Sequence, residues 1–236
     1  MAHRGASDHA PENSAAAFRL ALDHGADLIE TDLWCLSDGE IACHHDPTLA
    51  RMTGDRRRIG EVDAATLRRL RLRAHADGSY ADERVPCLEQ LLAIVPDDVP
   101  VVLELKDRSF AEPARLRRLV DRLGARARER RAAVIAFDLG LLLRVRELAP
   151  GLVTGHIGLV DPFGTKQTDM LGPWWPWPLV NPLYVASAHA RRQRVCPLDP
   201  HLHRRLHRWL ALDVDAVLTN DPAGTRALLE KLRRAP

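Results

Sequence analysis

Strand-like and helix-like patterns alternate along this chain from end to end, with no tandem period and no long linker, and that alternation commits it to a parallel sheet covered by helices. Strands are read at residues 1–4, 27–33, 40–45, 99–106, 132–137, 152–157, 194–198 and 215–219. Eight strands close a TIM (β/α)8 barrel, which would use nearly all 236 residues. The fold class expected is therefore α/β, with residues 1–236 as a single barrel domain. The longest stretch between clear strands, about 47–96, carries predicted helices near 64–72 and 88–95 and reads as a small insertion between the third and fourth strands. Asn13 or Ser14 can cap a helix ending near Gly25.

Within this pattern, Leu28-Ile29-Glu30-Thr31-Asp32-Leu33 places Glu30 and Asp32 on one face by the strand's period of two. Val101-Val102-Leu103-Glu104-Leu105-Lys106 repeats the device, sending Glu104 and Lys106 one way. Parallel strands are covered on both sides, so these charges need partners that offset their desolvation. A network with arginines would serve, and so would a hard, oxygen-liganded divalent cation, Mg2+ or Ca2+. Lys106 stands out because Arg is the default cation here: Lys106, Lys166 and Lys231 are the chain's lysines among 34 Lys plus Arg.

His3 ends the first expected strand and His45 the third, so both should reach the same rim as the acids. Imidazole's ordinary pKa suits it to proton transfer near neutrality. His24, His44, His75, His156, His189, His201, His203 and His207 are read as structural.

Composition narrows the partners. Lys plus Arg, 34, nearly balances Asp plus Glu, 32, so no nucleic-acid surface is expected. No apolar run approaches the 18 or so residues of a membrane span. Cys35, Cys43, Cys87 and Cys196 lack CxxC spacing, which argues against a disulfide framework or thiolate zinc site. The first residues show no basic leader or apolar signal region, so a cytoplasmic location is expected.

An ordered set of short motifs adds to this: His3-Arg4-Gly5, Pro11-Glu12-Asn13-Ser14, Ile29-Glu30-Thr31-Asp32, Ser37-Asp38-Gly39, His45-Asp46-Pro47-Thr48-Leu49, Arg51, Thr53-Gly54, Pro86-Cys87-Leu88-Glu89 and Leu103-Glu104-Leu105-Lys106. In this order the chain resembles the glycerophosphodiester phosphodiesterases. The resemblance implies that His3 and His45 are the acid and base, that Glu30, Asp32 and Glu104 hold the divalent cation, and that Arg4 and Lys106 contact the phosphate. It implies a small-molecule glycerophosphodiester or lysophospholipid substrate. The expected products are sn-glycerol 3-phosphate and an alcohol, with water or the neighbouring glycerol hydroxyl as nucleophile.

The second half matches more loosely. Cys196-Pro197-Leu198-Asp199 stands where an aromatic pocket wall is usual, adding an acid. Asn220 replaces a usual aspartate and is read as the cap of the last helix. Pro173-Trp174-Trp175-Pro176-Trp177-Pro178 reads as a loop too rich in proline for a helix or central strand. It is either packed over the barrel edge or a lip through which Trp174, Trp175 and Trp177 touch a membrane transiently. The competing activities are a lysophospholipase D or sphingomyelinase D-like lipid phosphodiesterase and a catalytically silent phosphate-binding barrel.

Overall fold

A computed structural model describes residues 1–74 and 77–234, so His75 lies outside the described residues. The strands are β1 (Ala2–His3), β2 (Ile29–Cys35), β3 (Ile41–Cys43), β4 (Val101–Leu105), β5 (Ala132–Ala136), β6 (Val153–Gly158), β7 (Met170–Pro173) and β8 (Arg194–Val195). All but β3 follow one parallel path, β1-β2-β4-β5-β6-β7-β8. The segment after β8 completes the ring. Asp215 N–H donates to Val195 O at 3.0 Å, while His3 N–H donates to Thr219 O at 2.8 Å and Thr219 N–H to Met1 O at 3.0 Å.

Eight positions therefore surround the barrel, although residues 215–219, expected as the last strand, join it through an isolated bridge of Thr219 to Ala2, and two further strands differ from the sequence reading. Residues 40–45, expected as the third barrel strand, instead supply β3, which runs antiparallel to β2 and lies off the ring. The cause is local: Gly39, at φ +79°, lets a tight turn send the chain straight back, and only antiparallel pairing fits so short a connection. β3 thus belongs with the excursion, which has its own core of Leu36, Leu49, Ile59, Leu67, Leu72 and Val85. Within it the helix Ala64–Leu67 is shorter than expected, whereas Leu88–Ile94 stands where the periodicity puts it.

β7 is the strand the sequence reading missed, because Gly172 and Pro173 disguise it as loop. Pro173 is accommodated at the strand's end, where its carbonyl accepts from Leu198 N–H at 2.8 Å. The segment expected to be free of helix also contains one turn, Pro176–Val180, with proline at the start where no N–H is required.

The helix Ala15–Asp23 forms as read. Ser14 accepts from Ala17 N–H at 3.0 Å, Phe18 and Ala21 are buried against the barrel, and Gly25 leaves the helix at φ +71°. The turn before it is tighter than periodicity shows. Arg4 and Gly5 both have positive φ, 57° and 81°, and a Cβ on Gly5 would lie 2.5 Å from the backbone carbon of Ala17. Gly5→Ala should therefore destabilise the fold by about 1–3 kcal/mol, read by urea denaturation. An unchanged midpoint would show that this contact yields.

Candidate active site

Residues paired across parallel strands share a face, and the register Asp32, Glu104, Ile135, Gly155, Met170 runs around the barrel interior. One side of the interior is charged. The opposite side is apolar, continued upward by Phe137, Ile157, Trp174 and Leu198 around a cavity of about 650 Å³. His3, Arg4, Glu30, His45, Glu104 and Lys106 line the same cavity. The structure thus gathers the expected residues, with Asp32 buried among them.

Oxygen atoms of Glu30, Asp32 and Glu104 lie within 4.8 Å of one another. Asp32 is the best compensated. Arg4 Nε is 3.0 Å from Oδ2, Lys106 Nζ is 3.4 Å from Oδ1, and Asn13 Nδ2 donates to Oδ2 at 2.9 Å. Burial opposes its ionisation, yet Arg4 and Lys106 outweigh that and hold it below the ordinary aspartate value. Glu30 is pushed well above the ordinary carboxylate range by burial and by Asp32 and Glu104, although Arg4 N–H donates to its Oε2 at 3.0 Å. Glu104 is raised by burial, even with Lys106 Nζ donating to Oε1 at 2.7 Å.

Two cationic side chains therefore stabilise one of the three acids and leave the other two resisting ionisation. Asp32 Oδ1 is buried without a hydrogen bond. A set of carboxylate oxygens, short of positive charge and holding an unsatisfied acceptor, suits a hard divalent cation. Both alternatives raised by the sequence are therefore present: an ion-pair network around Asp32, and a donor set that fits a metal.

The imidazoles have different partners. Asn220 Oδ1 accepts from His3 Nδ1 at 2.7 Å, and Asp46 Oδ1 accepts from His45 Nδ1 at 2.8 Å. Each contact leaves Nε2 as the nitrogen free to exchange a proton. Burial, with Arg4 nearby, lowers the His3 value and favours its neutral ring. Asp46 is held at about 2: some burial opposes ionisation, but Arg51 and His45 dominate. Arg51 also binds Glu12, which in turn meets Arg4 at 3.2 Å, so a charged chain connects the two histidine segments.

Several of these partners escaped the sequence reading. Asn13, a candidate cap by its position before the first helix, accepts from Thr31 at 2.6 Å while donating to Asp32. Asn220 is not the cap of the helix Pro222–Arg234. Asp221 takes that place, accepting from Gly224 N–H at 2.9 Å, which frees Asn220 for His3. Glu12 and Arg51 belong to separate motifs, and their contact spans 39 positions of sequence. His44 is structural as expected, with its Nε2 3.0 Å from Thr48 O.

Asp199 adds less charge to the cavity than its sequence position suggests. It accepts from Arg205 Nε and Trp209 Nε1, both at 2.8 Å, and Arg205 stacks 3.9 Å from the Trp175 ring. Asp199→Ala should cost about 1–3 kcal/mol by leaving the buried Trp209 N–H unpaired. Thermal unfolding would measure the loss, and an unchanged midpoint would refute the account.

Fold and site together define an α/β barrel whose mouth gathers carboxylates, imidazoles and cationic side chains around one cavity. The profile of the glycerophosphoryl diester phosphodiesterase family matches residues 3–224. A Caldanaerobacter subterraneus glycerophosphodiester phosphodiesterase is 27% identical over 98% of this chain and 97% of its own. The Bacillus altitudinis enzyme of the same name is also 27% identical, over 99% and 98%. An Oleispira antarctica phosphodiesterase solved with the product sn-glycerol-3-phosphate superposes with TM-score 0.84 at 20% identity, covering 97% of this chain and 95% of its own. An Agrobacterium tumefaciens glycerophosphodiester phosphodiesterase gives 0.80 at 24%, covering 97% of each. The chain belongs to the glycerophosphoryl diester phosphodiesterase family. It is accordingly a phosphoric diester hydrolase.

Proposed function

We propose that this protein hydrolyses glycerophosphodiesters to sn-glycerol 3-phosphate and an alcohol. The observation that carries the reading is the carboxylate cluster beneath a cavity whose lining includes His3, His45, Arg4 and Lys106. Glu30, Asp32 and Glu104 would hold a divalent cation. Mg2+ and Ca2+ both suit all-oxygen ligation. Such a cation supplies positive charge to phosphoryl oxygens and so eases the approach of a nucleophile.

Arg4 and Lys106 extend that positive field toward the phosphate. Neutral His3, its Nδ1 occupied by an amide oxygen, is suited to take the nucleophile's proton on Nε2. His45, hydrogen-bonded to a carboxylate, is suited to deliver a proton to the departing alkoxide as the phosphorus–oxygen bond breaks. The apolar wall opposite the acids would receive part of the alcohol.

The deciding assay is release of glycerol 3-phosphate from glycerophosphocholine by purified protein, with divalent cation and then with excess chelator. Turnover that chelator abolishes and added cation restores is expected. Turnover indifferent to chelator would overturn the cation's role, and phosphate binding without any turnover would overturn the substrate reading.

A further inference from the structure

Eight large apolar side chains are exposed among the described residues, and their distribution is uneven. Five of them, Leu159, Val160, Phe163, Val180 and Leu183, occupy two neighbouring segments, and a sixth, Phe137, stands at the cavity mouth. Val160 is 87% exposed, Phe163 77%, Val180 71% and Leu183 69%. Scattered exposed apolar residues need no explanation, but a concentration of this kind does.

The two segments are tied to each other. Trp177 Nε1 donates to Leu159 O at 2.8 Å, and Asn181 Nδ2 donates to Pro162 O at 3.3 Å. Beneath them Asp161 accepts from Gly164 and Thr165 N–H at 2.8 and 3.0 Å, fixing the loop. The indoles expected to form a lip are half-buried: Trp174 lines the cavity, Trp175 stacks on Arg205, and Trp177 anchors the loop. The protruding atoms are the aliphatic and phenyl groups around them.

Position and charge indicate the occupant. Residues 159–163 leave the C-terminal end of β6, and Pro176–Val180 follows the same end of β7, where the cavity opens. The cavity wall includes Ile157 and Trp174, which stand just before these two segments in the chain. At the rim loop the cationic group is Arg191, whose guanidinium donates to Phe163 O at 3.5 Å, while the acid Asp161 is engaged by the loop backbone. A second copy seated here would stand at the mouth of the cavity. A lipid surface would instead present phosphodiester groups to it.

We propose that this rim docks on a lipid surface carrying anionic headgroups, inserting Val160, Phe163, Val180 and Leu183 among the outer acyl carbons beside the open cavity. The inference deepens the reading of the site as a phosphodiester cavity and rests on it for the substrate so presented. It needs no spanning segment, and among the described residues no helix is long and apolar enough to cross a membrane. Short apolar anchors supported by basic residues bind such interfaces reversibly.

Co-sedimentation of the whole chain with vesicles of equal parts phosphatidylcholine and phosphatidylglycerol tests it. The wild type should sediment, and the vesicle affinity of the double variant Val160→Glu with Phe163→Glu should fall by about tenfold or more. Hydrolysis of soluble glycerophosphocholine without vesicles should be unchanged in the variant, because neither residue lines the cavity. A wild type that stays in the supernatant, or a variant that sediments equally, overturns the proposal. So does concentration-dependent self-association of the wild type that the variant loses while neither binds vesicles. Vesicle binding without glycerophosphocholine turnover supports docking and overturns the reading of the site, so the two can fail separately.

Discussion

Replacing His45 by alanine should lower kcat on glycerophosphocholine by about 10²–10⁴-fold, the usual contribution of a positioned general acid or base. His3→Ala should lose a similar factor, because each ring is held through Nδ1 by a different partner and neither can substitute for the other. Calorimetric binding of Mg2+ or Ca2+ should survive both changes. The three acids that would hold the cation lie on β2 and β4, whereas His3 belongs to β1 and His45 follows β3. Collapse of cation affinity in either variant would reassign that imidazole as a ligand. Activity near that of the wild type would remove it from the chemistry altogether.

Adding a divalent cation to chelator-treated protein should raise its melting temperature, and the increase should grow from about pH 5 to pH 8. The sign follows from Glu30 and Glu104, whose values in the folded protein are raised by burial. Without cation, their protonated forms contribute stability that is complete below the unfolded value of about 4.3 and is lost as pH rises through the folded values. Asp32 acts oppositely, because Arg4 and Lys106 hold it down despite burial. Its contribution is present above the unfolded value of about 3.9 and disappears only in stronger acid. Above pH 5 the balance is therefore set by the two glutamates, and a bound cation supplies the charge that their lost protons no longer offset. At about 100 times its dissociation constant a ligand adds about 2.7 kcal/mol. For a domain of this size that corresponds to about 5–10 °C. Glu104→Gln should reduce both the increase and the turnover. Identical melting curves with and without cation at every pH would refute the metal site.

The acids were legible because a strand's alternation is strict: once residues 27–33 and 99–106 are strands, Glu30 shares a face with Asp32, and Glu104 with Lys106. The helix Ala15–Asp23 was legible for a similarly local reason, since Ser14 and Gly25 act within a few bonds of the ends they set. β7 was not, because Met170-Leu171-Gly172-Pro173 is stabilised by neighbours on both sides rather than by its own propensities. Nor was the off-ring position of β3. Its sequence pattern is that of any strand, and only the tight turn through Gly39 decides whether it joins the ring or folds back.

By itself the sequence determined the barrel class, the faces of its acidic strands and, through an ordered run of motifs, the seven side chains of the proposed chemistry. Periodicity and short-range capping are properties of consecutive residues, so they can be read before any chain is folded. Tertiary structure alone decided the partners: Asn220 on His3 across 217 positions, Glu12 on Arg51 across 39, and the apolar rim assembled from two segments on either side of β7. Such contacts depend on where the closed ring brings remote segments together, and no local pattern of residues encodes that distance.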